Sequence, residues 1–283
     1  MLKLTIEEFE RKVIDDLRGE KEFLEFLKEN KGLELVEKRE VKIPVEKNGN
    51  NYFLEDMVPE FLEEISHYIP VNKDQEKELL GNIDEEESRD ILLKGYLREI
   101  GALSFNYLKA GIDYMDLIQE GTIAMIEGME EYRESYGDFK EYIKAILVRE
   151  YVLYIYEKLE EEKYEYLSYL NHKKHENEHV EEIEEIEEVD LDEEEIKKEE
   201  KLEPKKIEEK IKEVENMNIF KIPNKLTEEE IDVLKLYYGF IGDKRESVFE
   251  IENDLGMENG AGEEIFLRAL NRVSTVGGRV FKI

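Results

Sequence analysis

The sequence predicts an all-α protein: a central helical bundle and a C-terminal helix-turn-helix domain, joined by an acidic helical or disordered linker and preceded by a small N-terminal accessory segment. Three observations predict it. Apolar residues recur every three or four positions through most of the chain, the period of a half-buried helix. Strings with capping-box spacing stand ahead of such runs at Thr5, Thr227 and Ser247. Breaks are marked by glycine or proline, as at Pro70, Gly111, Pro223 and Gly239.

Taken in order, residues 1–50 open with Thr5-Ile-Glu-Glu8, which starts a helix burying Phe9, Val13 and Leu17; Phe23, Phe26 and Leu27 give a second. From Leu33 to Val45 the pattern alternates enough for a strand or hairpin arm, ending at the turn signal Asn48-Gly49-Asn50. Residues 51–158 carry the bundle. Phe61, Leu62 and Ile65, then Leu79, Leu80 and Ile83, mark two short helices on either side of Pro70. Ser88 can cap a long helix carrying Leu93, Leu97, Ile100, Ser104 and Leu108. Beyond the turn at Ser135-Tyr-Gly-Asp138, Phe139, Tyr142, Ile143, Ile146, Tyr151 and Ile155 line another helix.

Residues 159–222 are the linker. Between Glu176 and Glu200 stand fifteen acids and two lysines, too few apolar groups to fold alone. Residues 223–283 predict three helices: one from Thr227 to Gly239, one from Ser247 to Gly256, and one from Glu264 to Val273. Helix, glycine turn, helix is the spacing of a DNA-binding motif.

Composition narrows the chemistry. Charged residues make up 41% of the chain and the net charge is −33, which repels phosphate backbones and anionic lipid at long range. Cysteine is absent, which excludes disulfides, thiolate catalysis and cysteine metal sites. With no apolar run of membrane-spanning length and no signal-peptide core after Met1, the expected location is cytoplasmic, with no membrane partner.

The stretch Gly111–Gly128 organises the rest. Gly111 suits a left-handed helix stop and Asp113 a helix start, with Asp116 in the first turn facing the positive end of the helix dipole. Gly121, Ala124 and Gly128 fall on one side and admit another helix closely, flanked by Leu117, Ile118, Met125 and Met129. Asp116, Gln119, Glu120, Ile123 and Glu127 remain on the outer face, which is too polar for a core yet carries an apolar residue at its middle. That composition fits a partner surface.

Asp116-Leu-Ile-Gln-Glu-Gly121, preceded by Leu97-Arg-Glu-Ile100 and Tyr107-Leu-Lys-Ala-Gly111, resembles region two of the bacterial sigma factors. The resemblance implies a region-two bundle whose central helix binds the coiled-coil clamp helices of the largest subunit of core RNA polymerase. It makes Asp116, Leu117, Gln119, Glu120, Thr122, Ile123, Ile126 and Glu127 the polymerase-binding set. Leu226-Thr-Glu, Gly239, Glu250-Ile251, Leu255-Gly256, Ile265 and Ala269-Leu270 are similar in register to region four.

For promoter DNA the resemblance points to Phe139, Tyr142, Lys144, Arg149 and Tyr151, and in the last helix to Arg268 and Arg272. Two departures stand against DNA reading. The tryptophan pair of the family is missing, and Glu258-Asn-Gly-Ala-Gly-Glu-Glu264 occupies the start of the recognition helix. Two glycines in a first turn cost roughly 1 kcal/mol each, so that helix is expected to begin late.

His175-Glu-Asn-Glu-His179 matches the zinc-hydrolase string, but beside an acidic tract it lacks the shaped cavity that such a site needs. No metal and no cofactor are therefore expected. Three readings follow: a divergent sigma-type initiation factor, without enzymatic activity of its own and open to control by an anti-sigma or other regulatory protein; a sigma-like interaction protein that binds polymerase or another partner without reading DNA; and a zinc hydrolase through His175 and His179.

Overall fold

The computed structural model describes residues 2–36, 57–184, 204–241, 244–275 and 277–281, except for the side chains of 57, 176–184 and 204. Helices dominate. The turn expected at Asn48-Gly49-Asn50, the boundary at 50 and the acidic tract from 185 lie outside the described residues.

Two helices form the N-terminal segment, α1 (Ile6–Asp16) and α2 (Glu20–Glu29). Thr5 caps α1 through the expected capping box with Glu8. Phe9, Val13, Phe23 and Leu27 are buried, with Phe9 set between the rings of Phe23 and Phe26. Of the arm expected from Leu33 to Val45, residues 33–36 are among those described. β1 (Lys3–Thr5) pairs in parallel with β2 (Glu34–Val36), Leu4 opposite Leu35.

α3 (Met57–Ser66) and α4 (Lys73–Gly81) flank Pro70, and Asn72 caps α4 through a capping box with Gln75. α5 (Glu86–Ser104) starts after Glu85, so Ser88 lies inside the helix and is buried rather than capping it. A 3-10 turn at Phe105–Tyr107 leads to Gly111, whose φ of 81° makes the stop that a side chain would strain. α6 (Tyr114–Glu131) follows, capped by Asp113, which accepts from Met115 N at 2.9 Å.

α7 (Phe139–Glu184) is far longer than expected. It runs on through residues assigned to the linker, and residues beyond Tyr156 have a core of their own. There α7 and α8 (Pro204–Glu215) bury Tyr166, Leu170, Ile207 and Val214 with Phe281. Lys163 Nζ donates to Glu215 O at 3.1 Å, while Lys174 pairs with Glu208 at 2.8 Å. Rising numbers on α7 thus meet falling numbers on α8, an antiparallel hairpin. The apolar residues sit one per helical turn between charges, too sparse to signal a core from composition alone.

The C-terminal helices are α9 (Glu228–Tyr237), α10 (Val248–Asp254) and α11 (Ala261–Ser274). Both expected capping boxes form, Thr227 with Glu230 and Ser247 with Glu250. α11 begins at Ala261, not late. The Glu252 carboxylate accepts from Gly260 N at 2.8 Å and from Gly262 N at 2.9 Å, satisfying two free donors of the first turn. A Cβ at Gly262 would lie 2.7 Å from Glu252 Cγ, so this glycine makes room for the carboxylate that holds the turn.

The chain passes from one compact unit to the other between 222 and 223, but the C-terminal helices fall in the same unit as the bundle and not in a domain of their own. One unit comprises Met1–Ile155 with Pro223–Gly278, the other Tyr156–Ile222 with Arg279–Ile283. Within the first, Arg245 makes a bidentate pair with Glu63 of α3 at 2.8 Å, and Phe240 stacks on Phe105. Lys225 N donates to Leu108 O at 2.7 Å and Gly111 N to Gly278 O at 2.6 Å. The C-terminal helices are therefore built into the same body as the bundle.

Candidate partner interface

α6 lies between α5 and α7 because its small residues permit it. A Cβ at Gly121 would strike Ile100 of α5 and the Tyr151 hydroxyl of α7; one at Gly128 would meet Ile143 and Ile146 of α7 at 3.0 Å. Tyr151 Oη bonds Ser104 Oγ at 2.8 Å, tying α7 to α5 beneath Gly121. Leu117, Ile118, Met125 and Met129 are buried around the stripe.

The opposite face of α6 is open. Asp116, Gln119, Ile123, Ile126 and Glu127 are exposed, and Glu120 and Thr122 are partly so. Ile123 is 50% exposed and Ile126 39% exposed on a helix whose other apolar residues are mostly sealed. Leu117, assigned to the polymerase-binding set, is the exception: fully buried, it shapes the core rather than the surface. Thr122 spends its hydroxyl on Ile118 O at 2.7 Å. Tyr154 of α7 donates to Asp116 Oδ2 at 3.2 Å, and burial together with the Asp116 charge pushes the Tyr154 hydroxyl up from its ordinary value. The motif carboxylate is thereby fixed in orientation at the start of the stripe.

Residues 92–155, which hold the end of α5, all of α6 and the first part of α7, match the family model of sigma-70 region 2. Over those residues the chain carries the region-2 domain of the sigma-70 family. Members of that family are sigma-type transcription initiation factors that bind core RNA polymerase. No curated protein matches the chain. The match ends at Ile155, so the likeness of Leu226–Val273 to region four rests on sequence alone.

In this sigma-family bundle the residues assigned to promoter DNA are turned inward. Phe139 is buried edge-on against Tyr96 and Tyr132, Tyr142 is buried against Tyr136, and Tyr151 is sealed under α6. Lys144 Nζ donates to Leu35 O at 3.0 Å on β2. Arg149 donates from Nε to Leu17 O at 3.1 Å and from a terminal nitrogen to Arg18 O at 2.5 Å, pairs with Glu150, and lies over the Phe23 ring. The aromatic face of α7 is the core face of the bundle, and its two basic residues hold the N-terminal segment. α1 has no basic residue in its own last turn. Arg149 supplies the cation that the free carbonyls of that turn attract.

Arg268 and Arg272 are likewise engaged. Glu230 of α9 is completely buried and receives Arg268 Nε at 2.6 Å and an Arg272 terminal nitrogen at 2.7 Å, besides the Thr227 N–H. Helical geometry then leaves Glu263, Leu267 and, less exposed, Glu264 on the outside of α11. Carboxylates there repel a phosphate backbone.

His175 is exposed on α7, and the side chain of His179 lies outside the described residues. Among the described residues no three metal-ligating side chains are grouped, and no helix is long and apolar enough to cross a membrane.

Proposed function

We propose that the chain binds core RNA polymerase through the outer face of α6, with Ile123 and Ile126 as apolar contacts and Asp116, Gln119, Glu120 and Glu127 as the polar surround. The clamp helices of the largest subunit are the implied partner. One observation carries this reading: a half-exposed isoleucine at the centre of a polar stripe, on a helix held rigid by close packing and lying inside the matched segment. Large apolar groups in such positions mark contact sites. The protein acts without catalysis of its own, in the compartment where polymerase works.

A second reading concerns DNA. The inward packing of Phe139, Tyr142 and Tyr151 and the engagement of Lys144, Arg149, Arg268 and Arg272 favour a polymerase-binding protein that leaves promoter DNA unread by these side chains. Run-off transcription with core enzyme and native promoters separates the two. Specific transcripts that depend on the chain establish an initiation factor; stable polymerase binding without transcripts establishes the second reading. Absence of binding to core enzyme removes both.

A further inference from the structure

The last residues of the chain fill a groove between α7 and α8 in the second compact unit. Phe281 is 4% exposed there, in a cluster with Tyr166, Leu170, Ile207 and Val214. Its ring stacks on Tyr166 at 5.3 Å between centroids, and Tyr166 stacks in turn on Tyr169 at 6.3 Å, so the groove offers an aromatic face to an aromatic guest. Val280 is partly buried beside it, whereas Arg279 is exposed. The Phe281 N–H donates to the Glu162 carboxylate of α7 at 3.2 Å, a side-chain acceptor and not a backbone ladder.

Three features set this segment apart from a fixed part of the core. Residues 277–281 lie outside any helix or strand and begin with Gly277-Gly278. The walls of the groove are joined without them: Lys163 Nζ donates to Glu215 O at 3.1 Å, Lys174 pairs with Glu208 at 2.8 Å, and Tyr156 stacks on Phe220 at 5.4 Å. The anchoring is concentrated in one aromatic side chain, as it is where short segments are recognised.

We propose that the α7–α8 groove is a docking site for a short basic-aromatic segment of a partner protein, and that this chain's own tail occupies it in the partner's absence. The tail shows what the site takes. It brings an aromatic ring to the Tyr166 face and an N–H to Glu162, and it carries two basic residues, Arg279 and Lys282, in a chain whose net charge is −33. A segment of that chemistry on a basic partner is drawn in by charge and competes for the same slot. A second copy presents the same tail, but its equal negative charge opposes the approach. The α6 docking face plays no part in this exchange.

The test titrates a fluorescent peptide of residues 277–283 into the full chain and into its Phe281→Ala variant, whose groove is left open. A tail tethered next to its groove competes at an effective concentration of roughly millimolar order. Phe281→Ala is therefore expected to bind the peptide at least about tenfold more tightly than the unaltered chain does, and a chain ending at Gly278 is expected to do the same. Adding Tyr166→Ala, or replacing the phenylalanine of the peptide by alanine, should abolish binding. Serine at both basic positions of the peptide should weaken it and flatten its salt dependence. A folded Phe281→Ala chain that binds the peptide no better than the unaltered chain overturns the site. Loss of helix in both altered chains, read by circular dichroism, also overturns it, since Phe281 would then be an ordinary core residue. A dimer of the unaltered chain that Phe281→Ala dissociates would give the groove to a second copy and overturn the partner.

Discussion

Arg149 of α7 donates its Nε proton to the carbonyl oxygen of Leu17 at 3.1 Å, closing the C-terminal end of α1 with a side chain more than a hundred positions away. The side chain that sequence resemblance offers to promoter DNA is a structural clamp on the N-terminal segment. Arg149→Ala is expected to destabilise the fold by about 2 kcal/mol, through loss of charge-assisted hydrogen bonds and a helix-end cation. Amide exchange in α1 and α2 should rise more than in α9. Uniform exchange across both regions would contradict the clamp.

Glu230 is the corresponding anchor of the C-terminal helices. Glu230→Ala takes the carboxylate partner from Arg268 and Arg272, leaving Arg272 only the Lys225 carbonyl, and is expected to cost about 3 kcal/mol in urea unfolding, whereas Glu230→Gln, which still accepts from the Thr227 N–H, costs less. An alanine variant as stable as the original would show that the triad is not needed for the fold.

Gly121 sets how closely α6 lies to α7. Gly121→Ala is expected to destabilise by roughly 1–3 kcal/mol through overpacking against Ile100 and Tyr151. Combining it with Tyr151→Phe, which removes the obstructing hydroxyl while Ser104 keeps its bond to Ile100 O, should recover part of that loss. Strict additivity of the two changes would place the obstruction elsewhere.

Local signals made much of this architecture readable. Thr5, Asp113, Thr227 and Ser247 cap the helices they precede because a short oxygen-bearing side chain meets free N–H groups at close sequence range. The stripe Gly121–Ala124–Gly128 announced close packing for the same reason of fixed spacing. Long-range pairings left no such trace. Arg149 reads as a surface base, and only the fold shows that α1 ends beside it. Gly262 reads as a weak helix start, yet Glu252 needs the space. The polar stripe of α6 was legible as a surface, while Leu117 was misassigned to it because a motif match does not say which way a side chain points.

Acid should first strengthen the fold and then weaken it. Burial raises the carboxyls of Glu10, Glu76, Glu99 and Glu150 above the ordinary value of 4.5. Between those raised values and 4.5 the folded state binds more protons, so stability grows as pH falls from neutral. Glu250 works the other way. Lys244, then the Ser247 N–H and hydroxyl, hold it at about 2, so its contribution is present above 4.5 and is lost as pH falls toward 2. Thermal melts across a pH series should pass through a maximum in mild acid. A melting temperature falling steadily from neutral pH to 4.5 would contradict the assignment.

The most direct measurement is photo-crosslinking from position 123. With Ile123→benzoylphenylalanine in the full chain bound to purified core RNA polymerase, the account predicts an adduct with the largest subunit, lost when Gln119→Ala and Glu120→Ala are added. A chain that stays bound to polymerase yet gives no adduct from that position would contradict it.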